Sequence, residues 1–285
     1  MPKHFPNACD CHTHVIGSKT QYPLIAKRAY TPMQAPLADL VAMLTRLKLE
    51  RVVIVQPSFY GTDNTCTLDA IAELGDLARG VAVLGNDTPN SELDDLHRRG
   101  VRGLRVNVAT GGTNKPVETI RDGLNAAAKL CARNGWHLQT FIPSSAIAPL
   151  APLFADLPVP IVIDHFGLIA PGEEESAAAD ALKRLLASGR GWVKLSGTYR
   201  ITTPPWSGMT ALAQALGAAN PDQVVWGSDW PHTPGGKSGK PASDREEPFQ
   251  DIDAQALLDL IDTWFPDETM QRKLLVDNPA RLYDF

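Results

Sequence analysis

The run Cys9-Asp10-Cys11-His12-Thr13-His14 ends an apolar segment with two imidazoles two residues apart. Residues i and i+2 of a strand share a face, so His12 and His14 can meet one ion or one substrate while Thr13 points away. The same spacing fits a polar strand end, so the chemistry depends on what other segments contribute. Two segments matter. Val162-Ile163-Asp164-His165-Phe166-Gly167 delivers His165 at the carboxyl end of an apolar run, and Val224-Val225-Trp226-Gly227-Ser228-Asp229-Trp230-Pro231-His232 does the same for Asp229. His12, His14, His165 and Asp229 together form a nitrogen/oxygen set for one divalent ion, with an open coordination position for water. Singly, His165 could instead hold the following turn and Asp229 could cap a short helix. His232 is expected to orient Asp229 or line the pocket, His137 to be structural, and His4 and His97 to be solvated.

These residues meet only if separate strands end at one place. Strand-like apolar segments recur near 8–15, 51–56, 80–85, 101–108, 136–142, 159–165, 191–197 and 222–229. Most are continuous or β-branched, as expected of a parallel sheet covered by helices on its outer face. Between them the spacing predicts helices at 36–48, 65–78, 89–99, 117–134, 145–155, 173–188 and 208–218. The repeated order is that of an α/β (β/α)8 TIM barrel, whose active sites collect side chains from the carboxyl ends of the strands. Leu37, Leu40, Val41, Leu44 and Leu47 make one apolar helix face, and Glu173-Glu174-Glu175 read as an acidic first turn. Pro234 to Pro241 reads as a mobile rim loop near the active face. It does not match a phosphate-binding loop. Helices at about 253–265 and 267–276 form a C-terminal extension over 253–285, and residues 1–285 read as a single barrel domain.

Composition narrows the class further. At 285 residues, 44% hydrophobic and 21% charged, the chain is long enough to bury a large core without disulfides. A formal charge of −5 gives no broad electrostatic reason to bind nucleic acid. Cys9, Cys11, Cys66 and Cys131 have no paired spacing and read as reduced thiols of a cytoplasmic enzyme. No apolar leader precedes the first strand and no long apolar span follows, so neither secretion nor a membrane is expected. Arg105 ends an inward-facing strand and can grip a substrate carboxylate bidentately, whereas alternation puts Arg102 on the opposite face.

The ordered combination of His12-Thr13-His14, Gln56 to Asn64, Val101 to Asn107, Ile163-Asp164-His165, Trp226 to His232 and Asn278-Pro279 resembles the amidohydrolase superfamily over nearly the whole chain. Within it, the chain resembles the lactone-processing group that includes 2-pyrone-4,6-dicarboxylate hydrolases. The resemblance implies that Asp229 is the general base taking a proton from water as it attacks a lactone carbonyl. His12, His14 and His165 would polarise that carbonyl directly, or hold one metal such as zinc or manganese. It further implies a second carboxylate anchor at Arg200, and a polar wall of Ser58, Tyr60, Thr62 and Tyr30.

Departures from the pattern bear on cofactor and substrate. Val101 to Val108 offers Arg105 and Asn107 where the superfamily places a metal-bridging lysine, and Trp136 to Ile142 supplies no second metal-site histidine, so a two-metal centre is not expected. Ala109-Thr110-Gly111-Gly112 stands where the pyrone-dicarboxylate group carries another arginine, and Phe141 where it presents a tyrosine. The expected activity is therefore hydrolysis of an anionic, carboxylated lactone from aromatic or sugar-acid catabolism. A metal-dependent decarboxylase, a lactone isomerase and a non-enzymatic small-acid binder are the alternatives, and no oligomeric state is assigned.

Overall fold

Segments such as Arg51-Val52-Val53-Ile54-Val55 are too short and too β-branched to favour helix, and they alternate with runs whose apolar residues recur at helical spacing. A computed structural model describes residues 4–110, 115–234 and 245–285. The order is β1 (Cys9–Thr13), α1 (Leu37–Leu47), β2 (Arg51–Val55), α2 (Thr65–Leu74), β3 (Ala78–Ala82), α3 (Asn90–Arg98), β4 (Val101–Asn107), α4 (Val117–Ala132), β5 (His137–Phe141), α5 (Ile147–Asp156) and β6 (Ile161–Ile163). It continues with α6 (Ala177–Ala187), β7 (Gly191–Ser196), the short α7 (Thr198–Ile201), α8 (Thr210–Ala219), β8 (Val224–Gly227), α9 (Ala254–Trp264), α10 (Glu268–Arg272) and α11 (Asn278–Tyr283).

The eight strands lie in sequence order, and each pairs parallel with the next. The ring closes just beyond β8, where Asp229 N donates to His12 O and His14 N donates to Trp230 O, each at 2.9 Å. This is the expected (β/α)8 barrel, and its closing seam runs through the residues singled out for chemistry. The seam needs close approach: a Cβ at Gly227 would lie 2.7 Å from His12 Cβ and 2.8 Å from His12 N. Asp10 adds a side-chain stitch, its Oδ1 accepting from the backbone N–H groups of Ser228 (2.9 Å) and His12 (3.1 Å).

A bulge in β1 decides which way the imidazoles face. From Asp10 to Thr13, β1 advances three residues while β2 advances two, from Val52 to Ile54. The extra residue lets Cys9 and Cys11 pack inside the barrel with Val53, Val55, Val81, Val162 and Val225, yet turns His12 and His14 inward above them. Below, Tyr283 of α11 enters the same interior cluster and plugs the floor. The remaining buried apolar residues form the layer between sheet and helices.

Local readings differ in three places. In α1, Met43 is buried with Leu40, Leu44 and Leu47, whereas Val41 is exposed because the buried arc is centred one residue further round the helix. Glu173-Glu174-Glu175 precede α6 rather than forming its first turn, because Ser176 takes the capping position and accepts from Ala179 N at 3.2 Å. His97 is not simply solvated, since its Nδ1 accepts from Trp136 Nε1 at 3.1 Å with the rings stacked. Residues 235–241 of the expected rim loop, and Gly111 and Gly112, lie outside the described residues.

Candidate active site

Three imidazoles converge on one carboxylate at the carboxyl end of the barrel. His12 Nε2 lies 3.8 Å and His14 Nε2 3.6 Å from Asp229 Oδ1, while His165 Nε2 lies 3.8 Å from Asp229 Oδ2. All four residues are buried. His165 (φ 52°) and Asp229 (φ 62°) both take the left-handed backbone conformation as they leave their strands, a geometry that costs a non-glycine residue about 1 kcal/mol or more. Gly197 leaves room for the His165 ring, since a Cβ there would stand 2.6 Å from its Nδ1.

The outer nitrogens reveal what the inner ones can do. His14 Nδ1 is 2.7 Å from Val55 O, and a carbonyl only accepts, so Nδ1 carries the hydrogen and the neutral ring presents a lone pair at Nε2. His165 Nδ1 is paired with Ser196 Oγ at 2.9 Å. Among the described residues, His12 Nε2 and Asp229 Oδ1 have no hydrogen-bond partner although both are buried. Nitrogen and carboxylate lone pairs facing one another across less than 4 Å call for a shared proton, a water or a cation. One ligand atom each from His12, His165 and Asp229 lies within 4.8 Å of the others, and this is the cation-holding group found among the described residues. The donor set therefore fits a single divalent ion. His14 stands outside that three-residue group, although its Nε2 faces the same carboxylate.

Burial and neighbouring charge set the protonation states. Burial pushes His165 down to about 4, holds His12 well below the usual imidazole range and lowers His14. All three are neutral at pH 7. Burial alone would raise the Asp229 carboxyl, but the Arg200 guanidinium beside it and the surrounding donors hold it well below the ordinary carboxylate range. Arg200 Nε donates to Asp229 Oδ2, and Tyr199 OH donates to the same oxygen at 2.8 Å.

A polar pocket opens above this centre. Its lining includes His14, Tyr30, Ser58, Arg105, His165 and Arg200 from the expected set, joined by Pro57, Asn107, Thr110, Phe141 and Thr233. Arg105 is more committed than expected, with Nε and Nη2 both on Asp164 Oδ2 at 3.1 Å. The Arg200 Nη2 donates to Thr233 Oγ1 at 3.1 Å. Tyr60 and Thr62 are not brought to the pocket lining: Tyr60 is buried against Phe59 and Tyr22, and Thr62 is exposed. His232 stays behind Asp229, with its backbone N–H on Asp229 O at 2.9 Å and its ring edge-on to Tyr199.

Several polar residues of the site were not singled out beforehand. Lys194 of β7 is wholly buried, donates to Cys11 O at 2.7 Å and stands 3.5 Å from His12 Nδ1. Asp164 accepts from Arg105 and from Gln139 Nε2 (3.1 Å), and its Oδ1 is 3.4 Å from His12 Nδ1. A lysine inside the apolar run Trp192-Val193-Lys194-Leu195 is a usable signal, because a barrel interior admits a charge only when opposite charge meets it.

Fold and site define a hydrolase-type (β/α)8 barrel with a single nitrogen/oxygen centre at the strands' carboxyl ends. The chain belongs to the amidohydrolase family, whose model matches residues 9–285. It is 33% identical over 279 residues to 4-sulfomuconolactone hydrolase of Rhizobium radiobacter, covering 97% of this chain and 89% of that protein. To the 2-pyrone-4,6-dicarboxylate hydrolase of Comamonas testosteroni it is 34% identical over 289 residues, covering 97% and 90%. Among solved structures, it resembles a probable 2-pyrone-4,6-dicarboxylic acid hydrolase of Acinetobacter baumannii with citric acid bound, at a TM-score of 0.79 and 28% identity, covering 98% of this chain and 100% of that one. Among the described residues, no helix is long and apolar enough to cross a membrane.

Proposed function

We propose that the protein hydrolyses a lactone bearing a carboxylate, with Asp229 as the base that activates water. The observation that carries this reading is the divided use of Asp229: Tyr199 and Arg200 occupy Oδ2, while Oδ1 has no hydrogen-bond partner among the described residues and faces two imidazole nitrogens. A buried, ionised carboxylate with one free oxygen is a proton acceptor placed beside the pocket. The names of the two hydrolase relatives, both of which describe lactone substrates, support the same reaction class.

Arg105 and Arg200 line the pocket as the cationic groups that would grip the substrate carboxylate. A water beside Asp229 Oδ1 gives that oxygen one proton as its own oxygen bonds to the lactone carbonyl carbon, while its other hydrogen stays on it and donates a hydrogen bond to His14 Nε2. Collapse of the tetrahedral species breaks the bond to the ring oxygen, which recovers the proton from Asp229. The product is the ring-opened acid. A divalent ion such as zinc or manganese, held by His12, His165 and Asp229, would supply Lewis acidity for the charge developing on the carbonyl oxygen. His14 cannot supply that stabilisation as a neutral donor, because its hydrogen is committed to Val55 O.

Phe141 presents no phenol to the pocket, and Arg105 spends two N–H groups on Asp164. These features favour one substrate carboxylate over two. The four buried, unpaired thiols support a reducing cytoplasmic setting.

Product analysis on a panel of mono- and dicarboxylated lactones tests the reading. Ring-opened acid supports it, whereas a rearranged lactone or carbon dioxide overturns it. Asp229→Asn should lower kcat by roughly a thousandfold. Activity should also fall after chelation and return with zinc or manganese; unchanged turnover after verified metal removal would sink the metal assignment.

A further inference from the structure

The nitrogen of His12 that faces away from Asp229 has two claimants. Asp164 Oδ1 lies 3.4 Å from His12 Nδ1, and Lys194 Nζ lies 3.5 Å from the same atom. One is an acceptor and the other a donor, so they demand opposite tautomers of the ring. If Asp164 prevails, Nδ1 carries the hydrogen and Nε2 turns a lone pair toward Asp229. If Lys194 prevails, Nδ1 accepts and Nε2 carries the hydrogen. The first form is a metal ligand, and the second is a hydrogen-bond donor.

The unpartnered atoms decide between them. Asp164 Oδ2 already accepts from Arg105 and Gln139, each at 3.1 Å, whereas Asp164 Oδ1 has no hydrogen-bond partner among the described residues and is wholly buried. A hydrogen on His12 Nδ1 brings a donor to 3.4 Å from that oxygen. Lys194 does not depend on His12, because it donates to Cys11 O at 2.7 Å and stands 4.0 Å from Asp164 Oδ1. The arrangement led by Lys194 would aim the His12 Nε2 hydrogen at Asp229 Oδ1 across 3.8 Å, too far for a hydrogen bond, and would leave Asp164 Oδ1, 3.4 Å from Nδ1, without a donor.

We propose that Asp164 is the positioning residue that holds His12 in the Nδ1–H tautomer, with Lys194 as its buried counter-charge, so that the His12 Nε2 lone pair is presented to the centre. Its consequence for cation binding rests on the reading above that His12, His165 and Asp229 hold one divalent ion. Outer partners of ligating histidines commonly change metal affinity by about 10- to 100-fold.

Nitrogen-15 spectra of the metal-free chain, with the His12 ring assigned by comparison with His12→Gln, report the tautomer directly. Zinc titration calorimetry on the parent, Asp164→Asn and Lys194→Met reports its consequence. The expected parent spectrum is Nδ1–H. Asp164→Asn should shift His12 toward Nε2–H and weaken zinc binding about 10- to 100-fold, while Lys194→Met keeps the Nδ1–H form. A parent ring in the Nε2–H form overturns the proposal without any variant having to fold, as does unchanged zinc affinity in folded Asp164→Asn. A parent that shows Nδ1–H yet binds no zinc supports the assignment of Asp164 and removes the metal reading instead.

Discussion

The Tyr199 phenol donates to Asp229 Oδ2 across 2.8 Å, on the oxygen that also takes the Arg200 hydrogen bond, and so leaves Oδ1 as the free edge of the carboxylate. Tyr199→Phe removes a buried donor to a charged group while keeping the ring against His232. Its expected effect is a fall in kcat of about tenfold, since hydrogen bonds to charged groups contribute roughly 1.5–3 kcal/mol. Parent-like kcat would show that Arg200 alone orients the base.

Arg105 and Arg200 should separate in the steady state. Arg105 pairs with Asp164 and lines the pocket, whereas Arg200 lines it and also holds the base. Arg105→Lys should mainly raise KM, by about 10- to 100-fold, because a point charge cannot serve both carboxylates as a planar fork does. Arg200→Lys should raise KM and lower kcat together. The opposite pattern would exchange the roles assigned to the two guanidiniums.

Phe141 offers a test of substrate charge. Its ring lies edge-on to His165 at 4.9 Å and 5.7 Å from the Arg105 guanidinium, so a hydroxyl at its tip adds a donor near the pocket's cationic side. Phe141→Tyr is expected to improve kcat/KM for dicarboxylated over monocarboxylated lactones by about tenfold, the value of one good hydrogen bond to an anion. An unchanged ratio would place the determinant elsewhere in the pocket.

Parity along strands made much of this arrangement legible in the sequence. Alternation gave His12 and His14 a common face and set Arg105 apart from Arg102, and continuous β-branched runs indicated a parallel barrel whose carboxyl ends carry His165 and Asp229. Parity is a local property. It could not reveal the bulge between Asp10 and Thr13, which turns Cys9, Cys11, His12 and His14 all inward. Nor could it show that Asp164 would meet His12 and Arg105, because those contacts depend on how strands far apart in sequence stagger around the ring. Tyr60 and Thr62 illustrate the same limit, since a three-residue turn, Ser58–Tyr60, leaves Ser58 in the pocket and carries Tyr60 away from it.

The pH dependence follows from neutral histidines and an ionised base. His165 is pushed down to about 4 and Asp229 lies well below its ordinary value, so neither changes charge near neutrality. On the acid side kcat/KM should fall as His165 gains a proton, around its value of about 4. A midpoint near the free imidazole value of about 6.5 would mean that the rings titrate as solvated groups.

His137 tests the other end of the barrel. Its ring is buried edge-on to Tyr283 at 5.2 Å, and among the described residues neither of its nitrogens has a hydrogen-bond partner. Burial pushes it down to about 3, so it stays neutral in the folded chain where an unfolded histidine would take up a proton. The unfolded state therefore binds more protons between the unfolded value of about 6.5 and the folded one, and acidification through that window costs stability. His137→Leu removes both the unpartnered nitrogens and this proton uptake. It should stabilise the chain by about 1 kcal/mol at pH 7, the lower end of the cost of an unsatisfied buried polar group. The advantage should grow by about 2 kcal/mol between pH 7 and pH 5, since each unit below the unfolded pKa adds about 1.4 kcal/mol. Urea unfolding at the two pH values measures both quantities, and a gap that does not widen on acidification would show that His137 is charged or partnered in the folded protein.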